Sequence, residues 1–190
     1  MKHLFKAILP IAAVVILSSC GDNAAETKTE AGHDDHSNME HKEEASAANG
    51  STATTSPILK NDKLNAVYQH YVHLTTALTN ADVAEAKVAA NAIEAGAKEI
   101  SEGSSIASSA AKITAQSDIE EQRKIYSDLS NDMIALIKKE GLQSGELYVD
   151  FCPMALNDKG ANWISNKKEI INPYFGDKML KCGEIKETIQ

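Results

Sequence analysis

The sequence predicts a mainly α-helical protein: an up-and-down bundle of about four helices, followed by an irregular C-terminal segment rich in Cys, Met and aromatic residues. Two observations predict this class. From about residue 58 to residue 140 the apolar residues recur at spacings of three and four, which is the period of an amphipathic helix. That period stops after Gly145, where the Gly and Pro residues that punctuate turns become frequent.

Each predicted helix has an apolar stripe and a recognisable boundary. Asn80-Ala81-Asp82 offers a stop and a restart between the first two helices. Ser117 and Glu120 have the Ser-x-x-Glu spacing of a capping box, which opens the fourth helix, and Gly141 ends it. Short loops between such helices favour antiparallel neighbours. The predicted apolar spans are residues 64–78, 83–100, 104–115 and 117–141.

Residues 1–19 have the pattern of a lipoprotein signal peptide. Lys2 and Lys6 precede an apolar run that is too short to cross a bilayer as a stable helix. The run ends in Leu17-Ser18-Ser19-Cys20, so we expect cleavage before Cys20 and lipidation of its thiol. Multiple acyl chains anchor a protein stably. The sequence therefore predicts a cell-envelope protein held at a membrane, in the periplasm or at the outer membrane.

Residues 20–57 lack a periodic apolar face and are predicted to form a disordered tether. Within it, three histidines and a methionine lie in nine residues, among several carboxylates. Imidazole and carboxylate suit Cu(II) or Zn, and the thioether adds an option for Cu(I). A polar linker with chance histidines is the alternative. The candidate ligands are His33, His36, Met39 and His41.

The net charge argues against one class of partner. It is -8 for the whole sequence, and loss of Lys2 and Lys6 with the signal peptide makes the chain more acidic still. An acidic protein is poorly suited to bind the phosphates of nucleic acid. We therefore expect cations, and no nucleic acid, among its partners.

The C-terminal segment, residues 146–190 of a predicted domain spanning 58–190, contains two pairs of sulfur residues. Cys152 is two residues before Met154, and Met179 is three before Cys182. If the fold brings them together, they form a site of two thiolates and two thioethers, which selects Cu(I). Once Cys20 is lipidated, Cys152 and Cys182 remain as an even pair, and the spacing alone favours a disulfide between them over a metal site. The two states could also alternate.

His70 and His73 are a further possible metal pair. They are three residues apart on the first predicted helix and can share one face. They would matter for a metal only if that face pointed at the sulfur residues. The alternative is that one is a surface residue and the other packs beside Tyr71.

The C-terminal motifs resemble one known family. Cys152-Pro153-Met154-Ala155, residues 172–176 (Asn-Pro-Tyr-Phe-Gly) and residues 179–183 (Met-Leu-Lys-Cys-Gly) carry the resemblance. It is the domain of unknown function in Bacteroidota envelope lipoproteins, found also at the end of periplasmic adaptor proteins of copper and silver efflux pumps. The resemblance implies copper handling, with Cu(I) favoured and Zn or Ag as other options. It also suggests a periplasmic efflux adaptor as a partner.

We therefore expect a lipid-anchored metal-binding protein and no enzyme. The sequence has no Cys-x-x-Cys pair and no Gly-rich phosphate loop. The alternative function is an interaction module without metal. In it, a Cys152–Cys182 disulfide staples the fold, and an exposed aromatic patch around Trp163 and Tyr174 docks a protein partner.

Overall fold

Four α-helices form the first part of the computed structural model, which describes residues 56–190. Each helix contacts the next along the chain. The predicted signal peptide, Cys20 and the tether ligands His33, His36, Met39 and His41 lie outside the described residues. The mainly helical class is confirmed. The helices are α1 (Asp62–Thr79), α2 (Val83–Ala97), α3 (Ser104–Ala115) and α4 (Ile119–Glu140).

The N-termini of α1, α2 and α4 are capped by side chains, whereas α3 has no side-chain cap. Asn61 accepts hydrogen bonds from the backbone N–H groups of the first turn of α1. At α4 the cap is Asp118, which accepts from the backbone N–H groups of Glu120 and Glu121. The predicted capping box at Ser117 was therefore wrong by one residue. Asp is as good a cap as Ser, and its negative charge also complements the positive end of the helix dipole.

Small residues let α1 and α2 approach closely. Ala86, Ala90 and Ala97 of α2 are completely buried. A Cβ atom placed on Gly96 would lie 2.7 Å from Cγ2 of Val67 on α1, which is closer than two carbon atoms can pack. The absence of a side chain at Gly96 is therefore what allows this helix contact.

The C-terminal segment forms a small antiparallel sheet. Its middle strand is β3 (Leu147–Cys152), which pairs with β4 (Ala161–Ser165) on one side and with β5 (Glu184–Ile189) on the other. A separate two-stranded ladder joins β1 (Ile58–Leu59) to β2 (Leu142–Ser144). The segment is therefore more regular than the irregular structure that the sequence predicts.

Tyrosine hydroxyl groups form hydrogen bonds with backbone groups of β4, which is an edge strand of the sheet. The backbone N–H of Ile164 donates to the hydroxyl of Tyr71 on α1 over 3.0 Å. The hydroxyl of Tyr174 donates to the carbonyl of Asn162 over 2.6 Å. An edge strand otherwise leaves these backbone groups unpaired, so the two tyrosines join the sheet to its surroundings.

Trp163 and Tyr174 are buried, with 1% and 3% of their surface exposed. Their rings meet nearly edge to face, with centroids 6.1 Å apart. The predicted exposed docking patch at these two residues is therefore wrong. The apolar surface of both rings is buried inside the fold. The ring of Tyr174 also packs against the ring of Tyr126 on α4.

Arg123 of α4 ties three parts of the chain together. Its side chain is buried and donates to the carbonyl of Leu78, near the end of α1, over 2.8 Å. It also donates to the carbonyl of Pro173 in the C-terminal segment over 2.9 Å. The third guanidinium nitrogen, Nη1, forms an ion pair with Oε1 of Glu120 over 2.8 Å. The last carbonyl groups of a helix lack partners within the helix, so Arg123 caps α1 from another element.

Candidate functional site

The two C-terminal thiols meet. Sγ of Cys152 and Sγ of Cys182 are 2.9 Å apart, although thirty positions separate the residues in the chain. Both are free thiols in this structure. Cys152 is completely buried, whereas Cys182 is partly exposed. The arrangement is therefore a thiol pair with one buried and one accessible member.

Cys152 is positioned by the sheet. It is the last residue of β3 and lies directly opposite Ala161 of β4. Between the two strands the chain turns back through Leu156, Asn157 and Asp158, which all have positive φ angles of 55–62°. Such angles are unfavourable for residues other than Gly, and strain of this kind tends to lie beside functional groups. The strained turn begins four residues after Cys152 in the chain.

Cys182 is positioned by Gly183 and Asn172. A Cβ atom on Gly183 would lie 2.9 Å from Trp163 and 3.0 Å from the carbonyl oxygen of Phe151, so only Gly lets this backbone reach the sheet. The side-chain amide of Asn172, which is completely buried, donates to the carbonyl of Cys182 over 2.8 Å. The backbone N–H of Cys182 donates to the carbonyl of Met179 over 3.0 Å.

The hydrogen bond to Cys152 raises the pKa of the Cys182 thiol to about 11, and partial desolvation adds to the shift. A thiol with this pKa is almost entirely protonated at neutral pH, so it is a weak nucleophile. A metal ion that binds the pair must therefore displace protons, and its affinity will increase with pH.

The structure brings the two cysteines together. The two methionines, Met154 and Met179, lie close to them in sequence. Met154 is 46% exposed. Met179 is partly buried and follows a short 3₁₀ turn at Gly176–Lys178. Because Met side chains are flexible, both remain candidate ligands.

The histidines of α1 are on the surface. Both His70 and His73 are exposed, and Nε2 of His73 lies 2.7 Å from Oε1 of Glu85 on α2. Among residues 56–190, no group of three or more His, Cys, Asp or Glu side chains is arranged to hold a metal ion. One member of the predicted pair, His73, thus contacts α2 through Glu85.

Asp150 is a buried carboxyl group that sequence reasoning did not single out. It lies two residues before Cys152 on the same face of β3, opposite Trp163. It is completely buried, and neither carboxyl oxygen has a hydrogen-bond partner among the described residues. Desolvation raises its pKa from 3.8 to about 7. The sequence feature that could have pointed to it is an acidic residue within an otherwise apolar strand, Leu147–Cys152.

We expect Asn172→Ala to lower the free energy of unfolding by about 2–3 kcal/mol, because it leaves buried backbone groups unpaired. These groups are the carbonyl of Cys182 and the N–H of Tyr174, which donates to the Asn172 side chain over 2.8 Å. Urea unfolding measures this. The control is Asn91→Ala on the exposed surface of α2, which should change stability by less than about 0.5 kcal/mol. Equal effects of the two substitutions would contradict the role of Asn172.

A comparison with known protein families finds a match within the helical part of the chain. Residues 67–145 match DUF3347, a protein family of unknown function. This supports a domain of unknown function in the chain. The DUF3347 match runs from α1 to β2 and does not reach Cys152 or Cys182. No curated protein and no solved structure matches. Among the described residues, no helix is both long and apolar enough to span a membrane.

Proposed function

We propose that this chain is a lipid-anchored envelope protein that binds copper as Cu(I) through the thiolates of Cys152 and Cys182. The observation that carries the proposal is the meeting of these two sulfurs, 2.9 Å apart, from segments thirty residues apart. Soft thiolate and thioether ligands favour Cu(I) over harder ions. Met154 and Met179 are the thioethers available beside the pair.

The surroundings of the thiol pair suit the reversible binding of a metal ion. Cys152 lies in the core, away from water, while Cys182 is partly exposed to solvent. An ion at the pair would be held by a rigid backbone and approached from the side of Cys182. The resemblance of the C-terminal motifs to the domain in copper and silver efflux adaptors suggests such an adaptor as the recipient of the ion.

Competition titration of Cu(I) against reduced protein tests the proposal. The protein carries Cys20→Ser, His33→Asn, His36→Asn and His41→Asn, so that neither the third thiol nor the histidines near the N-terminus can contribute. We expect one bound ion, and either Cys152→Ser or Cys182→Ser should weaken binding at least about 100-fold, which corresponds to about 2.7 kcal/mol.

The control for this titration is Ser144→Ala, a substitution in β2 away from the thiol pair, which should leave affinity unchanged. Met154→Leu preserves volume and reports whether a thioether completes the site. Binding that survives the loss of both thiols would refute the proposal.

A permanent disulfide is the second candidate role for the pair. The short distance between the sulfurs also favours it, since an S–S bond of about 2.05 Å requires them to approach by less than 1 Å. In that case the pair staples β3 to the segment before β5 in a module that binds no metal. Counting thiols in protein isolated from the cell envelope separates the two roles.

A further inference from the structure

The two sulfurs of the pair are unequal in their access to solvent. Cys152 is completely buried, and Cys182 is partly exposed. A molecule in solution therefore meets Cys182 first. Thiol–disulfide exchange depends on access to the reacting sulfur as well as on its reactivity, so the burial difference imposes an order on any such reaction.

The backbone on both sides of the pair is fixed. Cys152 is held in the ladder between β3 and β4, and Cys182 is held by Asn172 and by the carbonyl of Met179. The two sulfurs are already 2.9 Å apart. An S–S bond of about 2.05 Å therefore requires them to approach by less than about 1 Å.

We infer that the pair is a thiol–disulfide switch in which Cys182 reacts first with a small organic disulfide and Cys152 then closes the internal bond. The inference rests on the same pair as the proposed function and adds its regulation: the reduced pair binds the soft metal ion, and the oxidised pair releases it. Disulfide sulfurs are not thiolates, and the thiolate is the form that binds metal.

The reaction has two balanced steps. In the first, the sulfur of Cys182 attacks one sulfur of the organic disulfide; the S–S bond of the reagent breaks, and its other half leaves as a thiol with the proton that Cys182 lost. In the second, the sulfur of Cys152 attacks Sγ of Cys182, and the remaining half of the reagent leaves as a thiol with the proton from Cys152. The protein loses two electrons, and the organic disulfide gains them.

Glutathione disulfide is the probe for the order of reaction. The full chain with Cys20→Ser is used, so that only the two described thiols react. Cys152→Ser should accumulate a stable adduct of one glutathione on Cys182, detected by mass spectrometry. The matched Cys182→Ser variant, whose remaining thiol is buried, should form its adduct on the order of 100-fold more slowly. Protein with both thiols should finish as an internal disulfide without an adduct.

Two further measurements keep the test decisive. In urea the two variants should react at the same rate, which shows that the difference comes from the fold. Peptide mapping of protein with both thiols, quenched early, should find glutathione on Cys182 and not on Cys152. Equal native rates of the two variants, or an early adduct on Cys152, would overturn the inference.

The link to metal is measured separately. The oxidised protein should bind Cu(I) at least about 100-fold more weakly than the reduced protein, and reduction should restore binding. If the reduced protein binds no Cu(I) but the glutathione order holds, the proposed function fails and the switch remains. If the reduced protein binds Cu(I) but the order fails, the proposed function stands and the switch is wrong.

Discussion

Arg123→Ala should lower the free energy of unfolding by about 2–4 kcal/mol, because it removes two hydrogen bonds from a buried charged donor and such bonds contribute about 1.5–3 kcal/mol each. The Pro173 carbonyl loses the Arg123 donor, and the Leu78 carbonyl keeps only the backbone N–H of Ala81 as a donor. It also removes the charge that pairs with Glu120. Urea unfolding followed by circular dichroism measures the change.

Two further variants separate the geometry of Arg123 from its charge. Arg123→Lys keeps the charge but cannot reach both carbonyl groups at once, because an ammonium group lacks the planar fork of a guanidinium. We expect it to recover less than half of the loss. Lys124→Ala, at the exposed neighbouring residue, should change stability by less than about 0.5 kcal/mol. Full recovery by Lys would show that charge alone explains the effect.

The second large effect is a loss of stability as pH rises from about 4 to about 7, caused by Asp150. Its pKa is about 7 in the folded protein and about 3.9 in an unfolded chain. Between these values the folded state holds the proton and the unfolded state does not. Stability contributed by the neutral carboxyl is therefore fully present below pH 4 and decreases as pH rises, by about 4 kcal/mol in total.

Asp150→Asn tests this pH dependence. Asparagine is neutral at every pH and has nearly the same shape, so we expect the variant to be more stable than the natural protein by about 4 kcal/mol at pH 8 and nearly equal at pH 4. Asp177→Asn, at an exposed position, is the control and should leave the pH profile unchanged. Parallel profiles for the Asp150 variant and the natural protein would contradict the assignment.

The helices could be predicted because their signal is local. The apolar residues at spacings of three and four in α1 are Leu64, Val67, Tyr71, Leu74 and Leu78, and all five are buried. Spacings of three and four report one face of a helix whatever packs against it. The error at the start of α4 was small, since Ser117 and Asp118 are both good caps and only the backbone decides between them.

The sheet and its charged residues were harder to predict. β5 carries Glu184, Lys186 and Glu187 on an exposed edge strand, so it lacks the apolar alternation that marks a strand. The buried positions of Asp150 and Arg123 depend on segments distant in the chain, which a local pattern does not report. The meeting of Cys152 and Cys182 was a hypothesis from composition, and the structure supplies their distance and unequal exposure.

The position of the sheet after the helices in the chain has a consequence for the order of folding. Each helix contacts its neighbour in sequence, whereas Tyr71 meets Ile164 across 93 positions. Local contacts form early, and distant ones require the closure of long loops. The helices can therefore assemble first and offer Tyr71 as a template for β4. The two thiols then meet late, on a surface that is already ordered, so they remain unpaired through the earlier steps of folding.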